Sequence, residues 1–308
     1  MSAVKGEFAF IDWLRQRTPP HPAVIIGPGD DAAALRLSPV AECLVTTDLL
    51  LDGVCFRLAE AGTRQVGRKA MAVNLSDIAA MAGRPIAAFA GVALPRAGGR
   101  TVAEEIYLGL RDTADAFDTT IAGGDTNSWD GPLAVSVTLL GESTGRGPVR
   151  RSGAVPGDWI LVTGPLGGSL AGKHLAFTPR VREALQLHAL ADLHAMIDVS
   201  DGLAADLHHI CEESGCGALL QAEAIPITAA ARDMRDGKSP LAHALTDGED
   251  FELVFTVTPA QGEELVATQP IPGIRLVHIG DCVGHGCWIE VQGERQPLEP
   301  GGYVHDLG

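Results

Sequence analysis

The chain has 308 residues, 46% of them hydrophobic and 20% charged, which is apolar material enough for two packed domains and too much for a disordered chain. A net charge of −16 leaves no basic stripe for a nucleic acid to follow. No apolar run approaches the ~18 residues of a membrane span, and the opening Met-Ser-Ala-Val-Lys-Gly-Glu-Phe has no apolar signal core. A cytoplasmic location, with neither nucleic acid nor membrane as partner, is expected.

Glu7 to Arg17 predicts a helix with Phe8, Ile11 and Leu14 on one face. Residues 24–26 and 43–46 read as short strands, each ending in polar motif residues. Thr63 to Gly83 is a longer helix, stopped by Gly83-Arg-Pro85. On it Ala70, Asn74, Asp77 and Met81 follow i, i+4, i+7, i+11 spacing, which turns Asp77 inward among small neighbours. Strands over 86–94 and 133–140 lie around a helix near 102–117. A Gly-, Arg- and Pro-rich break over 141–157 places a boundary near residue 149, giving domains over 1–148 and 149–308. The second domain starts with a strand at 159–163. A strand at 196–199 leads to a helix with Ser200 as N-cap, Leu203, Leu207, Ile210 and Cys211 as its apolar stripe, and Gly215 at its end. Phe251, Leu253 and Phe255 alternate as in a strand, and the tail after Gly280 reads as turn-rich. The six cysteines include no Cys-x-x-Cys and read as reduced thiols. Cys282-Val-Gly-His285-Gly-Cys287 offers three metal ligands in a Gly-rich turn without an obvious fourth.

Five Asp-bearing motifs carry the chemistry: Gly-Pro-Gly-Asp30-Asp31, Thr46-Thr47-Asp48, Asn74-Leu-Ser-Asp77, Gly123-Gly124-Asp125 and Asp198-Val-Ser200-Asp201-Gly. Each is read at the end of a short apolar strand or on a helix of small residues, an uncommon place for Asp. Two carboxylates 4 Å apart repel by roughly 4 kcal/mol at an effective dielectric near 20. Convergence of the motifs therefore calls for a cation, and hard cations such as Mg²⁺ take oxygen ligands and bring polyphosphates with them. Gly167-Gly-Ser-Leu-Ala-Gly172-Lys173 fits G-x-x-x-x-G-K, but His174 stands where a phosphate loop needs Ser or Thr for Mg²⁺. It reads as a strand-to-helix turn whose amides could still approach a phosphate.

Taken in order, the motifs resemble those of thiamine-monophosphate kinases, of the superfamily that includes aminoimidazole ribonucleotide synthetase. The resemblance runs over nearly the whole chain. It adds Lys69-Ala-Met-Ala-Val-Asn74, Arg151-Ser152-Gly153, Val162-Thr163-Gly164 and Gly248-Glu249-Asp250 to the five Asp motifs. It implies an α/β fold of the α+β kind, with an N-terminal mixed sheet that forms a barrel across a homodimer and a C-terminal α/β sandwich. It implies transfer of phosphate from ATP to thiamine phosphate, with several Mg²⁺ ions and the nucleotide in a cleft involving both domains. By motif, Asp31, Thr46, Thr47, Asp48, Asp77, Asp125 and Asp198 would be metal ligands, with Asp201 a further one. Gly124, Asp125, Arg151 and Ser200 would hold ATP. Cys55, Glu249 and Tyr303 would meet the substrate.

No residue is expected to act as a covalent nucleophile, since in-line transfer depends on positioning and charge neutralisation. Blander readings stand beside these. Ser200 can be a helix cap alone, Asp201 a first-turn carboxylate, Arg151 a solvated linker charge, and Glu249 an exposed edge charge. The resembling family has His where this chain has Cys55, in Gly53-Val54-Cys55-Phe56, and a thiol carries no positive charge to a phosphate. The alternatives are another ATP-dependent enzyme of the superfamily acting on a different phosphate ester, or a non-catalytic nucleotide-binding homologue.

Overall fold

The computed structural model describes residues 10, 13–27, 33–96 and 99–303. The chain divides into two compact units, Met1–Ile78 with Gly83–Gly147, and Ala79–Ala82 with Pro148–Gly308. Both units mix strands and helices, as expected. Among the described residues no helix is long and apolar enough to cross a membrane.

The first unit is built on an open four-stranded sheet in the order β3-β6-β4-β5, beside a small pair of β1 (Val24–Ile26) and β2 (Ala34–Leu35). β3 (Cys43–Leu51) pairs antiparallel with β6 (Ala134–Glu142) from Cys43 opposite Glu142 to Leu51 opposite Ala134. This long ladder carries β3 five residues beyond Thr46, the expected end. Thr46-Thr47-Asp48 therefore lies inside a strand and not at its tip. β4 (Arg84–Pro95) runs parallel to β5 (Thr120–Trp129), joined by helix α2 (Gly99–Asp115). The Gly123-Gly124-Asp125 motif is likewise inside a strand. Two glycines without β-propensity hid it from the sequence. The sheet needs one of them, because a Cβ on Gly124 would lie 2.1 Å from the Ala90 carbonyl oxygen.

Helix α1 spans Thr63–Ala80. Its end is set by Ala82 in the left-handed region (φ 49°) and a Gly83 N–H to Ile78 carbonyl bond of 2.9 Å. A Cβ on Gly67 would fall 2.1 Å from the Ile106 carbonyl, and one on Gly109 would fall 2.0 Å from the Arg64 carbonyl. α1 and α2 thus meet backbone to backbone, which only glycine permits.

The second unit carries a seven-stranded mixed sheet in the order β13-β12-β9-β11-β7-β10-β8. The strands are β7 (Trp159–Val162), β8 (Ala195–Asp198), β9 (Gly217–Gln221), β10 (Leu253–Val257), β11 (Val277–Val283), β12 (Cys287–Val291) and β13 (Glu294–Pro297). Helix α3 (Val181–Leu190) precedes β8, α4 (Leu203–Ser214) joins β8 to β9, and α5 (Pro259–Thr268) joins β10 to β11. Leu203, Leu207, Ile210 and Cys211 of α4 pack with Ile160, Ile197 and Val254 in one core, and Gly215 (φ 66°) closes the helix as expected.

Three expectations fail here. Ser200 is not the N-cap of α4; that position is Gly202, and Asp201 precedes the helix. The tail after Gly280 holds strands, whose short polar-flanked runs look like turns until β9 pairs with them. Phe251 lies outside β10, with a left-handed φ of 51° and its ring stacked 4.0 Å from Phe177.

Candidate functional site

In the first unit the alternation of β3 divides its motif between two faces. Leu44 and Leu50 are buried on the face that also carries Thr46 and Asp48, while Val45, Thr47 and Leu49 are exposed on the other. On the buried face the Thr46 hydroxyl donates to the Asp77 carboxylate of α1. Asp77 points inward as its helical spacing predicts. Asp48 Oδ2 is buried without a hydrogen-bond partner. Asn74 donates from Nδ2 to the Ala70 carbonyl at 2.9 Å, and its Oδ1 is also buried without a partner. Burial, reinforced by the charge of Asp77, pushes the Asp48 carboxyl up to about 7. Orphaned buried oxygens cost roughly 1–3 kcal/mol each. They form an oxygen-only donor set of the kind a hard divalent cation takes, so the residues fit Mg²⁺.

Thr47 and Asp125 belong to the other face. Thr47 Oγ1 is 3.0 Å from Thr138 Oγ1. Register places Leu49, Ser136, Gly91 and Asp125 in one row across the sheet, one step along from Asp48, Val137, Ala90 and Gly124. β3 and β5 are opposite edges of the sheet, roughly 14 Å apart at three strand spacings. Within one chain Asp125 therefore stands apart from Asp48 and Asp77, its Oδ1 accepting the Thr126 N–H at 2.9 Å. Asp30 and Asp31 lie outside the described residues. Among the described residues no three His, Cys, Asp or Glu side chains converge on one metal position.

Cys55 follows β3, its thiol only weakly engaged with the Leu49 carbonyl at 3.9 Å. Its own carbonyl accepts from Lys69 Nζ at 2.6 Å. Lys69 is 1% exposed and ties this segment to α1. The sequence reading gave Lys69 no role. Its signal was a lysine set in a run of small and apolar residues, where an unpaired ammonium is not tolerated.

In the second unit four of the expected residues come together. Glu249 donates its N–H to the Ser200 carbonyl at 2.7 Å, and Tyr303 donates its N–H to the Asp201 carbonyl at 3.0 Å. Glu249 is left-handed (φ 52°), a strained state for a residue of this type. Asp198 ends β8 just before this turn and is buried. A carboxylate the sequence reading overlooked, Asp206, accepts the N–H groups of Asp201 and Gly202 at 3.1 and 3.0 Å. Burial and then the charges of Asp198 and Asp201 push Asp206 up to about 8. Asp at the fourth residue of α4 was its visible clue. Arg151 is elsewhere: its carbonyl accepts from Ser214 at the last turn of α4, the opposite end of the helix from the Ser200 turn, with roughly 16 Å between Leu203 and Ser214.

The glycine-rich loop is not open to phosphate. The Gly167 N–H donates to Asp250 at 2.6 Å, the Gly168 N–H to Asp247 at 2.8 Å, and the Ser169 hydroxyl to the Gly248 carbonyl at 2.5 Å. Lys173 Nζ donates to the Pro165 carbonyl (3.1 Å), Glu252 (3.1 Å) and Asp250 (3.4 Å). Arg180 adds a fork to Glu252 at 2.9 and 2.8 Å. The turn reading stands, and the amides expected to remain available are taken by carboxylates. Their effect is to fix the 247–252 segment that presents Glu249.

Residues 29–143 match the family described as AIR synthase related protein, N-terminal domain, and residues 155–284 match its C-terminal domain. The chain is 41% identical over 310 aligned positions to the thiamine-monophosphate kinase of Rhodopirellula baltica, covering 97% of each. It is 34% identical to that of Escherichia coli K12, covering 92% of each. The crystal structure of thiamine-monophosphate kinase from Stenotrophomonas maltophilia K279a superposes with a TM-score of 0.81 at 36% identity, over 94% of this chain and 97% of that one. AaThiL complexed with AMPPCP and TMP superposes with a TM-score of 0.77 at 27% identity, over 98% and 97%.

Proposed function

The chain belongs to the thiamine-monophosphate kinases of the AIR synthase related family, and from that premise we propose that it transfers the γ-phosphoryl group of ATP to thiamine phosphate, giving ADP and thiamine diphosphate. The observation that carries the reading is the orphaned oxygen set of Asp48 and Asn74 beside Asp77, in a chain 41% identical over 97% of its length to a thiamine-monophosphate kinase.

Asp48, Asp77, Thr46 and Asn74 would hold Mg²⁺ in the first unit; Asp31, Thr47 and Asp125 would be ligands of other ions, Thr47 and Asp125 lying on the opposite sheet face. Asp198 and Asp201 would do so in the second. Bound there, Mg²⁺ neutralises phosphate oxygens that would otherwise repel one another. The chain's own part is to orient. The Ser200 turn would meet ATP in the second unit and Gly124 and Asp125 in the first, while Arg151, set at the other end of α4, would be a separate nucleotide contact. Glu249, fixed in its left-handed state, and Tyr303 would meet thiamine phosphate, with Cys55 on the substrate side. The attacking oxygen is a phosphate oxygen already ionised near neutral pH, so no general base and no covalent nucleophile is required. We place the enzyme in the cytoplasm.

A homodimer completes the reading. The exposed face of β3 carries Val45 at 63% and Leu49 at 59% exposure beside Thr47, on the sheet face that also carries Asp125 at the far edge. A second copy laid on this face would close the two sheets into a barrel and return Asp125 and Thr47 to a shared interior. An ADP-release assay tests the function. Release that depends on thiamine phosphate supports it, and binding of ATP without acceptor-dependent release would make the protein a nucleotide sensor instead.

A further inference from the structure

Four of the six cysteines meet at one corner of the second unit. In the sequence they form two equal spacings, Cys211-x4-Cys216 and Cys282-x4-Cys287. The fold brings the two together. Cys211 ends the apolar stripe of α4, and Cys216 follows the Gly215 cap, its N–H donating to the Cys211 carbonyl at 3.1 Å. Register sets Cys282 of β11 and Cys287 of β12 opposite the same residue, Ala218, on the two sides of β9. Directly opposed residues share a sheet face, and Cys211, Cys282 and Ala218 belong to one buried core against which Cys216 and Cys287 pack.

The thiols act on one another electrostatically in a chain: Cys287 with Cys211, Cys211 with Cys216, and Cys216 with Cys282. A row of four sulfurs is not a tetrahedron. Among the described residues no three side chains of metal-ligating type converge on one position. A row is instead a set of adjacent thiol pairs.

The members differ in reactivity. The Cys211 thiol is pushed up by its neighbour Cys287 and by burial, so the proton stays on Cys211. Cys287 is held down to about 6 by Cys211, helped by His208 and the Ala218 N–H and opposed by burial and Glu212. Cys287 is also half-exposed beside the exposed Gly284–Gly286 turn, whereas Cys211 is buried.

We propose that Cys287 and Cys211 are a peroxide-reactive thiol pair, with Cys287 the attacking sulfur and Cys211 the resolving one. The Cys287 thiolate attacks one oxygen of hydrogen peroxide, the O–O bond breaks, hydroxide leaves, and Cys287 becomes a sulfenic acid. The Cys211 sulfur then attacks that sulfur and the S–OH bond breaks. Water leaves with the Cys211 proton, and a disulfide remains. In sum, two thiols and one peroxide give one disulfide and two waters. The new bond fastens the last turn of α4 to the start of β12.

The test is treatment of the intact protein with an equimolar amount of hydrogen peroxide, alkylation of remaining thiols, and non-reducing peptide mass spectrometry. The expected product is the Cys211–Cys287 cross-linked peptide pair, reversed by dithiothreitol. In Cys211→Ser, dimedone should trap a sulfenic acid on Cys287. In Cys287→Ser, Cys211 should stay reduced. Should either variant fail to fold, the pH profile of iodoacetamide alkylation at Cys287 in the unaltered protein decides. An inflection well below that of the urea-unfolded chain supports the pair. The proposal is overturned if Cys287 alkylates with an ordinary thiol profile, if Cys43 or Cys211 takes dimedone as fast as Cys287, or if the cross-link joins other residues.

Discussion

Replacing Lys173 with Ala separates the two readings of the glycine-rich loop. The ammonium faces Glu252 and Asp250, whose side chains are 2% and 1% exposed. After its loss Glu252 keeps the Arg180 fork and the Thr163 hydroxyl at 2.8 Å, but Asp250 keeps only the Gly167 N–H. Breaking a buried pair costs about 3–5 kcal/mol when the orphan stays charged. Asp250 has an easier route. Burial, against the pull of Lys173 and Gly167, already lifts its carboxyl to about 6, so protonation near pH 7 costs only about 1.4 kcal/mol. With about 1 kcal/mol more for lost hydrogen bonds, the expected loss is roughly 2–3 kcal/mol. For a unit of this size that lowers the melting temperature by about 5–10 °C. Urea unfolding and ADP release, measured on the same preparation, check it. Activity should persist below the new melting point, and Lys173→Arg should recover part of the stability. An unchanged unfolding midpoint with a thousandfold fall in kcat would refute the reasoning and restore the phosphate-loop reading.

Asp48→Asn should abolish phosphoryl transfer yet stabilise the Mg²⁺-free protein by about 1–2 kcal/mol near neutral pH, read by urea unfolding in chelator, because it removes a carboxyl that burial disfavours as an anion. Asp250 predicts a pH trend of known sign. Its folded value is raised, so the stability it contributes is full below about pH 4 and is lost as pH rises through about 6; Asp250→Asn should remove that slope, of order 2 kcal/mol, between about pH 4.5 and 7.5. Gly124→Ala puts a Cβ 2.1 Å from the Ala90 carbonyl and should cost at least 2 kcal/mol (~2–4) by parting β4 from β5, seen in thermal melts without nucleotide. Cys55→His should lower KM for thiamine phosphate severalfold if this position faces the phosphate; an unchanged KM in steady-state kinetics would set the substitution aside as neutral.

Much of this architecture was legible in the sequence because local physics decided it. The spacing of Asp77 on α1 turned it inward, and the α4 stripe and Gly215 cap are local features that packing left untouched. What stayed hidden depends on partners distant in sequence. β3 runs on past Thr46 because β6, some ninety residues later, pairs with it, and β5 is a strand despite Gly123 and Gly124 because β4 lies alongside. The same register splits Thr46 from Thr47 and sets Asp125 on the far edge, which no motif spacing reveals. Ser200 is not the cap because α4 begins later, behind Gly202, and Asp206, six positions on, takes the Asp201 and Gly202 N–H groups. The four-cysteine corner needed β9 to seat two strands around Ala218.

The most direct test follows the phosphorus itself. Phosphorus NMR of the protein with ATP, thiamine phosphate and Mg²⁺ should show the thiamine phosphate resonance giving way to the paired resonances of thiamine diphosphate, in step with ADP, and should stop when chelator removes the metal. ADP accompanied by free inorganic phosphate, with thiamine phosphate untouched, would contradict the account.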